Sequence, residues 1–180
     1  MGLNGMNFKS NEERFFWDWL KEAEKYGLVQ DIIYQPESFK LSDAVFVQKI
    51  KHLKTKIKYY NKSLLRKHDY TADFYFSVVN IWLAKTFNYN WNGLIYVDTK
   101  GAHPGKRNNS AITFPLNQKW VWDKYGIYVE KVIPKELFKK TWVPESAMSS
   151  PVLGKPVKQY IGCKTIKDYI RELEHEQDRH

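Results

Sequence analysis

The segment that most constrains the fold of this chain is an apolar, β-branched run that ends in charged residues. Residues 94–100 are Leu-Ile-Tyr-Val-Asp-Thr-Lys, a composition that favours a strand lying inside a sheet. Residues 70–79 alternate and are rich in aromatic side chains, which predicts a second strand. A chain of 180 residues is long enough for one compact domain built around such strands.

Helical and extended patterns alternate along the rest of the chain. Ser10 and Glu13 form a capping box at the start of the first helical pattern, which Gly27 closes. Pro36 suggests an edge or a bulge in the first extended segment. Extended segments are predicted over 32–41, 70–79, 94–100 and 127–133, and helices over 10–26, over 116–125 and from about 165. This order predicts an α/β domain around a mixed sheet flanked by helices.

The predicted organisation is a core over residues 1–145, followed by a linker or arm and a C-terminal helix over 146–180. Residues 102–111 have the composition of a loop, and residues 141–156, with three prolines and several serines, are predicted to be a surface linker. No stretch is long and apolar enough to span a bilayer, and the N-terminus lacks the features of a secretory signal. With Cys163 as the only cysteine, a reducing, cytoplasmic compartment is expected.

The charge balance indicates a polyanionic partner. The chain carries 29 Lys and Arg against 20 Asp and Glu, a net charge of +9. Nucleic acid is the commonest partner of such a domain, and the alternative is a lysine-rich surface that serves solubility.

The basic charge is concentrated in residues 44–68, where no acidic residue occurs. Ile50, Leu53 and Ile57 recur at spacings of three and four, which predicts a helical insertion, spanning about 43–68, with one cationic face. The alternation of Val45 and Val47 leaves a strand possible at its start. The cationic face is either an ordinary solvated surface or an element that binds phosphates, with candidate contacts at Lys54, Lys56 and Lys58.

Three charged side chains are candidates for chemistry. Asp98 and Lys100 lie two positions apart at a predicted strand end, so they share one face. Asp73 belongs to the preceding strand, and an antiparallel pairing would place it beside Asp98. Two carboxylates suit a hard divalent cation, to which the main-chain carbonyl of Thr99 could add an oxygen. The alternative is an ion pair at a strand end.

These residues resemble the PD-(D/E)xK nuclease superfamily, and most nearly the phage Holliday-junction-resolving endonuclease I group. The segments that carry the resemblance are Ser10-Asn11-Glu12-Glu13, Thr71-Ala72-Asp73-Phe74, 95–101, and 125–134 with its Tyr-Gly-Ile-Tyr-Val start. Ala72 stands where that group usually has proline, and Asp98 where it more often has Glu. The likeness covers roughly residues 10–145 and implies a restriction-endonuclease-like core.

The resemblance implies a Mg²⁺-dependent (or Mn²⁺-dependent) DNA endonuclease that is structure-specific, with branched DNA or Holliday junctions as the expected substrates. It makes Asp73 and Asp98 metal ligands, Lys100 the catalytic lysine, and Glu13 a further acidic ligand or water-holder, with Glu12 as the fallback. It also implies a homodimer and, for a virus-like protein, the host cytoplasm.

Phosphate contacts beside the site are expected from three further basic residues, Lys106, Arg107 and Lys119. Two alternative functions remain open. One is a restriction-like, end-trimming or RNA-cutting nuclease of the same fold, and the other is a nucleic-acid-binding protein that kept the fold without catalysis.

Overall fold

The computed structural model describes residues 7–88, 93–101, 110–149 and 157–177. The strands are β1 (Val29–Tyr34), β2 (Phe39–Ser42), β3 (Val45–His52), β4 (Ile57–Leu65), β5 (His68–Tyr70), β6 (Phe74–Val78), β7 (Gly93–Thr99) and β8 (Val129–Val132). The helices are α1 (Asn11–Lys25), α2 (Ile81–Thr86), α3 (Ser110–Tyr125), α4 (Pro134–Lys140), α5 (Glu145–Met148) and α6 (Ile166–Gln177), with a short 3₁₀ turn at Lys158–Tyr160.

A mixed sheet of four strands, in the order β1-β6-β7-β8, organises the fold. β6 pairs antiparallel with both β1 and β7, whereas β8 is parallel to β7. The parallel pair is joined through α3, as a parallel pair requires a crossover connection. The predicted α/β class with a mixed sheet flanked by helices is confirmed.

Hydrophobic clusters lie on the two faces of this sheet because side chains alternate along β7. Ile95 and Val97 belong to the larger cluster, which α1 covers with residues such as Trp19. Tyr96 packs against the smaller cluster, to which α3 contributes Phe114 and Val121. The site residues near the end of β7 therefore lie between α1 on one side and α3 on the other.

The first helix has the limits that its sequence signals predict. The Ser10 hydroxyl accepts a hydrogen bond from the Glu13 N–H at 3.1 Å, which satisfies one free amide of the first turn. Gly27 follows the helix with φ of +69°, a left-handed conformation that favours glycine.

The basic segment is a β-hairpin, so the prediction of a helical insertion is wrong. β3 and β4 pair antiparallel from Val45↔Leu65 to His52↔Ile57, and the Leu53 N–H donates to the Lys56 carbonyl at 2.9 Å in the connecting turn. The spacing of three and four was compatible with a helix, but the same segment also alternates with period two. The strand alternative at Val45 and Val47 is correct.

The segment after α4 is part of the core. Trp142 and Val143 are buried, and the Trp142 ring stacks on Trp19 with centroids 4.6 Å apart. The prediction of a surface linker is therefore wrong for residues 141–149, and residues 150–156 lie outside the described residues. The predicted C-terminal helix is present as α6, but it packs its apolar face into the larger cluster and is not a separate arm.

Other boundaries moved by a few residues. The extended segment 32–41 is divided into β1 and β2 around Pro36, and α3 begins at Ser110 although Pro115, which normally interrupts a helix, lies inside it. Most of the predicted 102–111 loop lies outside the described residues. Within the described ranges, none of the helices has the length and apolar character needed to cross a bilayer.

Candidate functional site

The candidate site lies where the start of β6 meets the end of β7. The register pairs Phe74 with Val97, and the Asp73 N–H donates to the Val97 carbonyl at 2.9 Å. Asp73 therefore stands directly before β6 while Asp98 is near the end of its antiparallel neighbour. The predicted meeting of these two aspartates at one end of the sheet follows from this pairing.

Asp98 is buried and has partners on both carboxylate oxygens. Its Oδ2 accepts a hydrogen bond from the Tyr70 hydroxyl at 2.7 Å, and its Oδ1 pairs with Lys100 Nζ. The side chain of Asp98 is only 7% exposed and that of Lys100 is 21% exposed. The Lys100 ammonium also lies 5.4 Å from the centroid of the Phe114 ring. Asp98, near the end of β7, and Lys100, directly after it, thus lie on the same side of the chain, as their alternation predicts.

Asp73 carries a charge that its surroundings compensate only in part. Its Oδ2 accepts hydrogen bonds from the Thr99 N–H at 2.7 Å and the Thr99 hydroxyl at 2.8 Å. Burial, and next the negative charge of Asp98, raise the pKa of Asp73 to about 6 against the opposing effect of these hydrogen bonds. Among the described residues, no donor reaches the other oxygen, Oδ1.

Glu13 approaches the aspartates from α1. It is buried, and its Oε2 accepts hydrogen bonds from the Tyr34 hydroxyl at 2.7 Å and the Lys9 N–H at 3.1 Å. Burial, followed by the hydrogen bond to Glu13, raises the pKa of Tyr34 and keeps its hydroxyl protonated as a donor. The charge of Glu13 also contributes to the raised pKa of Asp73, so the two carboxylates share one electrostatic environment.

Glu12, the alternative acidic residue of α1, points to an adjacent cavity of about 210 Å³. Its Oε1 lies 3.4 Å from the position that a Cβ on Gly101 would take, an ordinary van der Waals distance. Lys100 and Lys135 also line this cavity. Glu12 thus lies beside Gly101, just after the motif strand, whereas Glu13 lies near Asp73.

The predicted phosphate contacts are dispersed. Lys106 and Arg107 lie outside the described residues. Lys119 lies in the middle of α3 and lines a separate groove of about 1120 Å³ together with Trp120 and Tyr128. Lys54, Lys56 and Lys58 are exposed on the hairpin.

Sequence reasoning missed three groups that position the carboxylates. The hydroxyls of Tyr70, Tyr34 and Thr99 bond to Asp98, Glu13 and Asp73, respectively. Thr99 was expected to contribute only its main-chain carbonyl. A sequence signal existed only for Thr99, which lies between Asp98 and Lys100, and for Tyr70, which lies three residues before Asp73.

The residues present fit a small divalent cation held by two aspartates. Within the described ranges, no three or more His, Cys, Asp and Glu side chains form a group that could bind a metal. Mg²⁺, however, commonly uses one or two carboxylates and completes its shell with water and substrate phosphates. The charge of Asp73 is compensated only in part, and its Oδ1 accepts no hydrogen bond from a described residue, so Asp73 beside Asp98 could meet that requirement.

Comparison with models of protein families, with curated proteins and with solved structures finds no match for this chain.

Proposed function

We propose that this protein is a metal-dependent nuclease that hydrolyses phosphodiester bonds in DNA, with Mg²⁺ or Mn²⁺ bound by Asp73 and Asp98. The observation that carries the proposal is the convergence of these two carboxylates at one end of a sheet, with Lys100 in contact with one of them. A purely structural ion pair with Lys100 would need only Asp98. The second carboxylate, Asp73, adds repulsion between two negative charges. This repulsion has an explanation if the site binds a cation and a phosphate.

Each side chain has a definite task in this proposal. Asp73 and Asp98 would hold the metal, which when bound would supply activation of a water molecule and offset charge on the phosphate. Lys100 has three N–H donors, so it can hold a phosphate oxygen or a water while it remains paired with Asp98. Tyr70 and Thr99 fix the orientations of Asp98 and Asp73 through their hydrogen bonds. Glu13, held by Tyr34, can accept a hydrogen bond from water near Asp73.

The order of elements also supports the proposal. Within the four-stranded sheet, α1 is followed by the antiparallel strands β1, β6 and β7. These are followed by α3 and by β8, which is parallel to β7. This order is compatible with a restriction-endonuclease-like core, in which the resemblance of the sequence motifs would put the acidic residues and lysine at the strand ends.

Branched DNA is the proposed preferred substrate, and this part of the proposal depends on the resemblance to phage junction-resolving nucleases. A homodimer is proposed on the same ground because a junction presents two symmetry-related strands.

The direct test is Mg²⁺-dependent cleavage of a four-way junction, run beside flaps, linear duplexes and RNA. Asp98→Ala and Lys100→Ala are expected to abolish cleavage while DNA binding in EDTA persists. Lys25→Ala is the matched control, because it removes one positive charge from an exposed position at the end of α1.

Each outcome of this test has one meaning. Full activity of the Asp98→Ala protein would refute the proposed site. Cleavage of RNA or linear duplex in preference to the junction would retain the chemistry and replace the substrate. Tight DNA binding without metal-dependent cleavage by the unmodified protein would favour the non-catalytic alternative.

A further inference from the structure

The register of the β3–β4 hairpin gives its two faces different chemistry. Because side chains alternate and paired residues share a face, one face carries four lysines together with Val47 and Tyr60. The opposite face is formed by the alternate pairs from Phe46↔Ser63 to His52↔Ile57, and none of its residues is a lysine. It includes Gln48, Ile50 and Asn61. The lysines of the first face, here called the lysine face, are Lys49, Lys51, Lys58 and Lys62.

The arrangement of the lysine face destabilises the pairing of β3 with β4. Lys51 is directly opposite Lys58, and like charges opposite each other destabilise a strand pair. Lys49 has Lys58 and Lys62 as its diagonal neighbours across the pair. Among the ion pairs of the described residues, none involves a lysine of this face. A polyanion would remove the repulsion.

The hairpin also has little support from the rest of the protein. Every side chain of β3 and β4 except Val47 is exposed. An isolated two-stranded hairpin is at most marginally stable in water. Ligand contacts along the lysine face would therefore both order the hairpin and offset its charge.

The hairpin is connected to the rest of the protein next to the candidate site. Only residues 43–44 and 66–67 separate it from the β2–β5 pair, and β5 ends at Tyr70, the residue that bonds to Asp98. A ligand that lies along the hairpin is thus led towards the paired carboxylates.

We propose that the lysine face binds the phosphate backbone of a DNA duplex beside the cleavage site and does so without reading sequence. This inference depends on the proposed function for its identification of DNA. Contacts to phosphates position a protein without reading sequence, whereas base edges are read by hydrogen bonds such as the bidentate pairs of Asn or Gln with adenine. Here Gln48 and Asn61 point away from the lysine face. Eight residues of β3 span about 27 Å, or about eight base pairs of duplex at 3.4 Å each.

Two double variants of the 180-residue chain, with equal changes of charge, test whether binding is confined to one face. Lys51→Gln with Lys58→Gln removes two positive charges from one cross-strand pair of the lysine face. Gln48→Glu with Asn61→Asp adds two negative charges to a cross-strand pair of the opposite face. Binding to a 30-base-pair duplex is measured in EDTA over a range of salt concentrations.

The lysine variant is expected to lower the slope of log affinity against log salt by about 1.8, since each phosphate contact contributes about 0.9. Its affinity should fall roughly tenfold or more at physiological salt. The variant of the opposite face should retain the slope of the unmodified protein. Because the lysine variant relieves like-charge repulsion, loss of folding is not an expected explanation of weak binding.

Equal effects of the two variants would refute a sided contact and leave only long-range charge. An unchanged slope in both variants would refute DNA as the occupant of the lysine face. A failure of the proposed catalytic function would give a different result. The unmodified protein would bind duplex through the lysine face in EDTA but show no Asp98-dependent cleavage with Mg²⁺.

Discussion

Replacement of Asp73 by Asn should make the metal-free protein more stable at neutral pH. The pKa of Asp73 is raised to about 6 from an ordinary value of 3.8, because burial and the charge of Asp98 disfavour its ionised form. Asparagine keeps an oxygen that can accept the hydrogen bonds from Thr99, and it carries no charge. A site that gains stability when a native residue is removed is a site whose arrangement serves something other than folding.

The magnitude follows from the linkage between protonation and folding. The folded state binds the proton of Asp73 more tightly than the unfolded state, so stability is fully retained below pH 3.8 and falls as pH rises through 6. A pKa difference of about 2 pH units, at about 1.4 kcal/mol per unit, gives about 3 kcal/mol above pH 7. At pH 4.5 the same relation gives about 1 kcal/mol.

Urea denaturation in EDTA, followed by tryptophan fluorescence, measures both values. Asp73→Asn should exceed the unmodified protein in free energy of unfolding by about 3 kcal/mol at pH 7.5 and by about 1 kcal/mol at pH 4.5. Asp123→Asn removes the same charge from an exposed position and should change stability by less than about 0.5 kcal/mol at either pH. Mg²⁺ at pH 7.5 should narrow the difference, because the cation stabilises only the native aspartate.

The reasoning is refuted if Asp73→Asn is less stable than the unmodified protein at pH 7.5. It is equally refuted if the difference between the two proteins is the same at both pH values, since a packing effect has no such dependence on pH.

Two further substitutions test buried hydrogen bonds by urea denaturation. Tyr70→Phe removes a donor to the buried Asp98 carboxylate and should lower the free energy of unfolding by about 1.5–3 kcal/mol; unchanged stability would contradict this contact. Thr141→Val removes the acceptor of the Trp19 indole N–H, a bond of 3.1 Å, and should cost about 1–3 kcal/mol. Thr141→Ser keeps the hydroxyl, so an equal loss in both Thr141 variants would attribute the effect to packing instead.

Helix limits and the motif strand could be predicted because their signals are local. Ser10 caps the first turn of α1, and Thr165 and Asp168 form a reciprocal pair of hydrogen bonds at the start of α6. Each signal lies within three or four residues of the backbone group that it satisfies.

The hairpin could not be predicted with the same certainty because its sequence fits two periods. Ile50, Leu53 and Ile57 suit a helix, whereas the alternation of Lys49, Ile50 and Lys51 suits a strand. The outcome depends on the pairing of β3 with β4 across the 53–56 turn. That pairing involves residues up to 20 positions apart, so no local window contains it.

Half of the site followed from topology and half from contacts between distant segments. The meeting of Asp73 and Asp98 required only that consecutive strands pair antiparallel. The contact of Tyr34 with Glu13 joins β1 to α1, and that of Tyr70 with Asp98 crosses 28 positions of sequence. The prolines and serines after residue 140 indicated a linker. The aromatic side chain of Trp142 in the same segment indicated burial, and Trp142 is buried.

The stacking of Trp19 on Trp142 has a consequence for biosynthesis. The N-terminal end leaves the ribosome first, but the Trp19 ring of α1 packs against Trp142, which is synthesised more than 120 residues later. Until that later segment emerges, a large aromatic surface of α1 is left without its final neighbour, and the helix bearing Glu13 cannot reach its finished packing. Glu13 and the two aspartates therefore reach their final arrangement only after Trp142 has been synthesised, so a shorter nascent chain does not carry the assembled carboxylates.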